Sequence, residues 1–189
     1  MSRRSSGKSW ALKICMVSTY PPTRCGVAYY TKELVSTLRS LSKSAQILVL
    51  SDRLTKNDPS YPFLLLRRVI KNRPSIIHIQ HEYLMYGFYG VPLLPFAAIL
   101  RFLGYPIVVT LHSVIPVQAM DRTFFRRYGL SFLPTPVKKT AVILFTKLMC
   151  MLSFAVIVHT KICERILCER YHIGKAKVHV IRHGRQSVK

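Results

Sequence analysis

Short, uninterrupted runs of apolar residues alternate along the chain with longer segments whose apolar positions have a helical spacing. The apolar runs are predicted strands at 12–18, 46–51, 76–80, 106–112, 154–160 and 177–184. The segments between them are predicted helices at 27–41, 63–72, 92–104, 135–152 and 161–171. The first helix has one apolar stripe, made of Val27, Tyr30, Leu34, Leu38 and Leu41. The pattern therefore predicts a regular alternation of strand and helix.

The predicted strands are apolar throughout and do not alternate between apolar and polar positions. Strands buried on both faces have this composition, which favours a parallel sheet covered by helices on each side. Because the crossovers between parallel strands are right-handed, the sequence predicts an α/β fold with a doubly wound, mostly parallel, Rossmann-like sheet. Such sheets bind ligands outside the carboxyl ends of their strands, so the residues after each strand are the candidates for a site.

Histidine, glutamate, glycine and hydroxyl side chains follow the predicted strands. They occur in STYPPTRCGVAYY, HEYLMYGFYG, HSVIPVQ, the pair His159-Thr160 and HGRQSVK. The other loops contain ordinary Lys, Asn, Ser and Pro turn residues. We therefore expect Gly26, Glu82 and His112 to meet at one rim of the sheet.

The segment IIHIQHEY (76–83) contains two histidines and a glutamate at close spacing, which raises the question of a metal site. Zinc motifs of the HExxH kind need a helix, whereas a strand would point His78 and His81 to opposite faces. We predict no metal here. His78 is expected to be a hydrogen-bonded histidine of the sheet, with His81 and Glu82 emerging on the following loop beside Gln80.

The PPTRCGVAYY segment places Gly26 at the start of the first predicted helix. Glycine permits a close backbone approach, and the free N–H groups of a helix start attract phosphate. The chain has no GxGxxG motif and no Walker lysine, which excludes an ordinary dinucleotide or P-loop site. A capping glycine with no ligand is the equally weighted alternative.

The composition of the chain indicates which chemical classes of binding partner it favours. The chain has 189 residues with 29 Lys and Arg against 7 Asp and Glu, a net charge of +22 that favours anionic partners. The basic residues are spread in pairs without an RNA-binding signature, so nucleic acid is not favoured. Five irregularly spaced cysteines predict reduced thiols in a cytosolic protein.

Two kinds of segment bear on membranes. Residues 141–158 are nearly long enough to span a bilayer, but Ser153 and the β-branched FAVIVHT favour a buried helix that runs into a buried strand. The tracts 59–74 and 117–129 combine Phe and Leu with Arg, as an interfacial helix would. A core helix with a basic outer face is the alternative for 59–74.

The N-terminal MSRRSSGKSW lacks the apolar core of a signal peptide, so we predict a basic flexible tail over 1–10 and one domain over 11–189.

The ordered series KICMVSTYPPTRCGVAYYTKELVSTL, SIIHIQHEYLMYGFYG, YPIVVTLHSV, FAVIVHT and KVHVIRHG resembles the N-terminal half of GT-B glycosyltransferases in the retaining family 4 group. The resemblance implies a catalytic role for His112, which would position the transferred sugar and stabilise charge. It implies acceptor binding by Gln80, His81, Glu82 and Tyr83. It implies donor-phosphate binding by Cys25 and Gly26. The secondary candidates are Ser113, His159, His183 and Gly184.

The resemblance further implies transfer of a sugar from a nucleotide-sugar donor to a glycan or lipid-linked acceptor. No metal or other cofactor is expected. Two departures from the family pattern are that Arg182 stands where proline is usual and that Arg185-Gln186 follow Gly184. The sequence contains no second Rossmann-like domain, so we expect the C-terminal donor-binding domain to be absent and the isolated chain to be inactive without a partner domain.

By family, the chain leans toward an enzyme of hexosyl transfer. A non-catalytic module that binds a glycan or an anionic membrane is the alternative, and a nucleic-acid-binding protein is a third hypothesis. The expected location is cytoplasmic, with a peripheral position on the inner face of the cytoplasmic membrane left open.

Overall fold

The computed structural model describes residues 12–51, 60–83, 85–87, 90–127 and 133–184. The predicted tail over 1–10, and Arg185 and Gln186, lie outside the described residues. The strands are β1 (Lys13–Val17), β2 (Gln46–Leu50), β3 (Ile76–His81), β4 (Ile107–Leu111), β5 (Ala155–Val158) and β6 (Val178–Val180). The helices are α1 (Gly26–Leu41), α2 (Tyr61–Asn72), α3 (Leu93–Phe102), α4 (Arg122–Arg127), α5 (Thr135–Leu152) and α6 (Lys161–Arg170).

The six strands form one sheet in the order β2-β1-β3-β4-β5-β6, and every neighbouring pair is parallel. The chain first moves from β1 to the edge strand β2, then crosses back to β3 and continues in one direction. The direction of winding therefore reverses between β1 and β3, which is where sheets of this kind bind ligands. This confirms the predicted Rossmann-like α/β fold.

Both faces of the central strands are covered. Consecutive residues of β1, from Cys15 to Val17, are completely buried even though their side chains point alternately to opposite faces. Helices α2, α3 and α5 pack side by side. Helix α1 lies on the opposite face, where Thr31 bonds Ser18 after β1 at 2.6 Å between hydroxyl oxygens.

Side chains that precede two of the helices cap their first turns. Cys25 precedes α1 and its sulfur accepts from the Ala28 N–H, while Thr160 Oγ1 caps α6 by accepting from Cys163 N at 3.1 Å. Helix α2 begins two residues before the prediction, because Pro62 suits a first helical turn. Helix α4 was not predicted, since its six residues are too few to show an apolar period.

Residues 141–158 form the end of α5 and strand β5, as predicted. Ser153 ends the helix: its N–H and its hydroxyl both donate to the Met149 carbonyl, at 3.1 and 2.8 Å. Within the described ranges, none of the helices is long and apolar enough to cross a membrane.

Candidate functional site

The loops after β1 and β3 meet where the winding of the sheet reverses. Thr19 Oγ1 lies 3.2 Å from Cys25 Sγ and donates to Met85 Sδ at 3.9 Å. The loop that leads into α1 is therefore tied to the loop that follows β3. Gly26, the first residue of α1, is exposed, and a Cβ built on it meets no atom within 4 Å. The start of α1 is thus open to an approaching ligand.

Glu82 is held firmly at this rim. Ser113 Oγ donates to its Oε2 at 2.6 Å, and the Tyr83 N–H donates to its Oε1 at 3.0 Å. Each carboxylate oxygen has two lone-pair directions, so both can still accept a further bond. Glu82 and Ser113 are only partly buried. The pair therefore offers fixed negative charge and hydrogen-bond acceptors to a polar ligand.

A chain of hydrogen bonds orients His112. Its Nε2 lies 2.8 Å from Gln80 Oε1, and Gln80 Nε2 lies 3.2 Å from His78 Nε2. His78 Nε2 in turn lies 2.8 Å from Thr110 Oγ1. Because an amide oxygen can only accept, His112 Nε2 is the donor and its Nδ1 keeps a lone pair. The ring therefore presents an acceptor nitrogen to its surroundings.

Burial keeps these rings neutral. Burial, with smaller contributions from neighbouring histidines, lowers the pKa of His112 to about 3. Burial alone lowers the pKa of His78 to about 4. Since both values lie far below neutral pH, His112 and His78 are neutral imidazoles there and bring no positive charge to the rim.

Three histidines gather at the ends of neighbouring strands. His112 follows β4, His159 follows β5, and His183 lies beyond β6; the ring centres of His159 and His183 are 3.6 Å apart, and that of His112 lies 5.0 and 5.8 Å from them. Tyr30 of α1 packs edge-on against all three, with ring centres 4.9 to 5.3 Å away. The secondary candidates His159 and His183 thus share one cluster with His112.

Tyr30 is the site residue that the sequence analysis missed. Its apolar ring belongs to the stripe of α1, and that stripe alone predicts a core position. The available signal was its place four residues after Gly26, since residues at this spacing lie on one face of a helix. A ring one turn above the helix start faces the same rim as the start itself.

His81 does not lie where it was expected. It is the last residue of β3, it is completely buried, and its ring lies 4.8 Å from Phe145 and 5.0 Å from Tyr83. The prediction that it emerges on the loop is wrong, because alternation along β3 turns it away from the face that holds Gln80. Gln80 and Tyr83 are also buried. Acceptor binding by Gln80, His81, Glu82 and Tyr83 stays a prediction.

The expected convergence is otherwise confirmed. Tyr30, on the helix that Gly26 begins, contacts His112, while Ser113, next to His112, bonds Glu82. Gly184 is exposed beside His183. All five cysteines are free thiols in the structure. Burial raises the pKa of both Cys15 and Cys150 to about 12, so these two thiols are not reactive at neutral pH.

Comparison with known proteins decides the family. The model of the family described as Glycosyltransferase Family 4 matches residues 40–186, most of the chain. The chain belongs to glycosyltransferase family 4. The match to family 4 includes Glu82 and the three rim histidines, while the loop before Gly26 lies outside it. No curated protein shows a significant match.

One solved structure shares the fold of this family 4 domain. The UDP co-structure of MnaA from S. aureus has 15% identity and a TM-score of 0.52, and it covers 89% of this chain and 43% of its own. At that identity the likeness extends to the fold alone, and the chain spans less than half the length of that protein. The transcription regulator GntR from Chromobacterium violaceum has 12% identity and a TM-score of 0.38, covering 90% of this chain and 78% of its own, and supports no conclusion.

Proposed function

We propose that this family 4 chain is the acceptor-side domain of a retaining GT-B glycosyltransferase. It would transfer a sugar from a nucleotide-sugar donor to a glycan or lipid-linked acceptor, with the donor bound by a separate or following domain. The observation that best supports this function is the rim itself: an open helix start, the Glu82–Ser113 pair and an oriented neutral histidine meet where the winding of the sheet reverses.

The proposed division of labour follows the geometry. The N–H groups at the start of α1 would face the donor diphosphate across the cleft. Nδ1 of His112, which Gln80 leaves free to accept, would receive a hydrogen bond from a hydroxyl of the transferred sugar. Glu82 would accept from an acceptor hydroxyl. These groups would act by positioning the reactants, which is worth a large share of the barrier in such reactions.

The proposed transfer keeps the configuration of the sugar. The bond between the anomeric carbon and the diphosphate oxygen breaks first, through an oxocarbenium-like state. The acceptor oxygen then bonds that carbon on the same face, and its proton passes to the departing diphosphate. Such a reaction needs no carboxylate nucleophile, which agrees with a rim whose described residues place a single carboxylate, Glu82, beside His112 and Ser113.

The test compares the pure chain with the same chain fused to the donor-binding domain of a family 4 enzyme. Labelled UDP-glucose, UDP-N-acetylglucosamine and GDP-mannose serve as donors, with a total lipid extract as acceptor. We expect no product from the chain alone and a labelled product from the fusion. In the fusion, His112→Ala should lower the rate about 100-fold, since misplaced reactants cost that much. The control His179→Ala, an exposed histidine of β6, should keep it.

Sugar transfer by the chain alone would refute the need for a donor-binding partner. A folded fusion that transfers none of the three sugars would contradict the acceptor-side assignment. Equal rates for His112→Ala and His179→Ala would leave His112 without a role in the reaction. Circular dichroism of each variant confirms that a lost rate does not come from a lost fold.

A second candidate function, membrane binding, is supported by the surface of α2 and α3. An apolar groove there is lined by Pro62, Phe63, Leu66, Pro92, Pro95, Phe96 and Ile99. Phe63 is 68% exposed and Phe102, at the end of α3, is 91% exposed. Exposed Arg67, Arg68 and Lys71 lie on α2 beside the groove. Apolar side chains flanked by cations suit an anionic lipid surface. In the 117–129 tract, by contrast, Phe125 is completely buried and offers no surface to a membrane, so that tract stays a prediction without this support.

Vesicle sedimentation tests this surface. The chain should bind vesicles of phosphatidylglycerol and phosphatidylcholine, and Arg67→Glu/Arg68→Glu should weaken binding more than Lys32→Glu/Lys43→Glu. The second pair lies on and after α1, on the opposite face of the sheet, and changes the net charge equally. Equal loss in both double variants would mean that net charge alone, not this surface, attracts the membrane.

A further inference from the structure

His112 and His159 are neighbours at the carboxyl ends of two adjacent strands. Leu111 pairs with Val158 in the register of β4 and β5, so the residues that follow them, His112 and His159, lie side by side on one face of the sheet. Their ring centres are 5.0 Å apart, and the Tyr30 ring packs edge-on against both, at 4.9 and 5.3 Å. The two imidazoles therefore form one surface that faces α1.

A hydrogen bond to the backbone fixes the orientation of the His159 ring. Its Nδ1 lies 2.9 Å from the Ile181 carbonyl oxygen, which can only accept, so Nδ1 carries the proton. In the neutral ring, Nε2 then keeps the lone pair. His159 is 7% exposed, and its Nε2 is buried without a hydrogen-bond partner among the described residues. Buried polar atoms are nearly always paired in folded proteins, so this lone pair points to a ligand that donates a hydrogen bond.

His112 carries the same kind of atom. Its Nε2 donates to Gln80, so its Nδ1 keeps a lone pair. Burial lowers the pKa of His112 to about 3, which leaves this lone pair free of a proton at neutral pH. The two rings thus bring two acceptor nitrogens to one place. A ligand that fits them has two hydrogen-bond donors next to each other, and adjacent hydroxyl groups of a sugar ring have this chemistry.

We propose that His159 is a second sugar-binding residue, whose Nε2 accepts a hydrogen bond from the hydroxyl next to the one that His112 Nδ1 accepts. This inference rests on the proposed function, and it adds the requirement that the transferred sugar has two neighbouring free hydroxyl groups. Removal of either hydroxyl from the donor would leave one of the two nitrogens unpaired. Sites built to pair with a substrate hydroxyl strongly reject analogues that lack it.

His183 controls the access to His159. The two rings are nearly stacked, with centres 3.6 Å apart and planes 31° apart. His183 is exposed and lies beyond the end of β6, so its ring can turn aside while His159 stays bonded to Ile181. The sugar would then take the place of the His183 ring against His159.

The first measurement needs only the full chain. Long-range proton–nitrogen correlation spectra of histidine-labelled protein at neutral pH identify the nitrogen that carries the proton in each ring. We expect the proton of His159 on Nδ1 and that of His112 on Nε2, and His159→Gln and His112→Gln assign the two sets of signals. A proton on Nε2 of His159 would remove the acceptor and overturn the proposal.

The second measurement uses the fusion with a donor-binding domain, the donor that it transfers, and analogues of that donor that each lack one ring hydroxyl. His159→Leu should lower kcat/KM for the natural donor about 10- to 100-fold and make the fusion insensitive to the loss of one hydroxyl. His112→Ala should abolish the sensitivity to the neighbouring hydroxyl. His159→Gln keeps an acceptor oxygen and should retain part of the sensitivity. The matched control is His179→Leu, at an exposed histidine of β6, which should behave like the unaltered fusion.

Two patterns of activity would overturn the assignment of His159. In one, His159→Leu and His179→Leu respond alike to every analogue; in the other, His159→Leu and His112→Ala lose sensitivity to the same hydroxyl. Circular dichroism confirms that each variant is folded, and if His159→Leu does not fold, the position of the proton on His159 decides.

Failure of this assignment differs from failure of the proposed function. A folded fusion that transfers no sugar would contradict the proposed function, and the assignment of His159 would fall with it. An active fusion whose His159→Leu variant keeps the full pattern of sensitivity would remove only the assignment of His159.

Discussion

Two histidines lie side by side at the carboxyl ends of β3 and β4, in opposite environments. The His112 N–H donates to the His81 carbonyl at 3.0 Å. His81 packs against Tyr83, Tyr86 and Phe145 in the core. His112 lies on the other face, bonded to Gln80 and touching Tyr30. In the register, His81 pairs with Leu111 and Gln80 pairs with Thr110, so His112 is one residue out of step with His81.

The comparison shows that parity along a strand, and not residue type, decides which histidine is available to a ligand. A shift of one residue turns a side chain from one face of a sheet to the other. The His81 side of the sheet should therefore behave as core, with large losses of stability on substitution. The His112 side should lose function or ligand binding with smaller losses of stability.

Gly90→Ala should have the largest effect on stability. Gly90 has a φ of +89°, and an added Cβ would meet His81 Nε2 at 2.7 Å and Phe145 Cζ at 2.9 Å. Both rings are buried, so making room for the added methyl would disturb the core packing. Backbone strain of roughly 1–3 kcal/mol and overpacking of similar size should lower the free energy of unfolding by about 4 kcal/mol. Urea unfolding measures this difference.

Substitutions at two other glycines separate the effect of backbone strain from that of overpacking. Gly104 has a φ of +83° but open space around it, so Gly104→Ala should cost only the strain, about 1–2 kcal/mol. Gly26 has open space and begins a helix, so Gly26→Ala should stay within about 0.5 kcal/mol of the unaltered chain. A Gly90→Ala loss no larger than that of Gly104→Ala would mean that His81 is not packed as described.

Replacing the two histidines themselves tests the comparison directly. His81→Ala should lower the free energy of unfolding by about 3 kcal/mol, because it leaves a cavity among buried aromatic rings. His112→Ala should lower it by about 1 kcal/mol, because the ring is half-buried and donates a hydrogen bond to Gln80. Chemical unfolding of both variants measures the two losses in the free energy of unfolding. The reverse order of losses would place His112 in the core and contradict its role at the rim.

Lowering the pH should destabilise the folded chain, because His78, on the His112 side of the sheet, is buried as a neutral ring. The folded-state pKa of His78 is lowered to about 4 from the ordinary 6.5. Between these values the unfolded chain binds a proton that the folded chain does not, so stability falls as the pH falls. The contribution of one such group is at most about 1.4 kcal/mol per pH unit. It is fully present above pH 6.5 and lost as the pH drops toward 4.

His78→Gln removes that titration while keeping a polar side chain. The unfolding free energy of this variant, measured from neutral pH downwards with EDTA present, should decline less steeply than that of the unaltered chain. Identical slopes in the two proteins would show that His78 titrates alike in the folded and the unfolded states.

Ser113→Ala should have the smallest of these effects. It removes the hydroxyl that donates to Glu82 Oε2 at 2.6 Å in a partly exposed place. The expected loss in the free energy of unfolding is about 1 kcal/mol. Ser40→Ala, an exposed serine that bonds its own helix at Thr37, should change it by less than about 0.5 kcal/mol. If both serines gave the same loss, Glu82 would not be held by Ser113.

The fold could be predicted closely because hydrophobic periodicity is a local signal. The predicted order of strands and helices agrees with the structure, and most bounds differ by only a few residues. Strand β6 is shorter than predicted, at three residues, because it lies at the edge of the described sheet and its partner β5 ends at Val158. His183 consequently lies beyond the strand, in an exposed position that the strand prediction had not given it.

The site could be predicted only in part. The residues that follow strands were visible in the chain, and Gly26, Glu82 and His112 do meet at the rim. Whether His81 is buried depends on which face of the sheet it points to. That is fixed only when β3 pairs with β1 and β4. Tyr30 looked like a core residue because its apolar ring fits the stripe of its helix.

The sequence by itself determined the fold class, the residues at the strand ends and the strongly basic surface. These depend on residue type and local spacing along the chain. Only the tertiary structure decided that β4, β5 and β6 are neighbours, and therefore that His112, His159 and His183 share one cluster beneath Tyr30. Strand order and register are set by packing between segments far apart in the chain, and no local pattern encodes them.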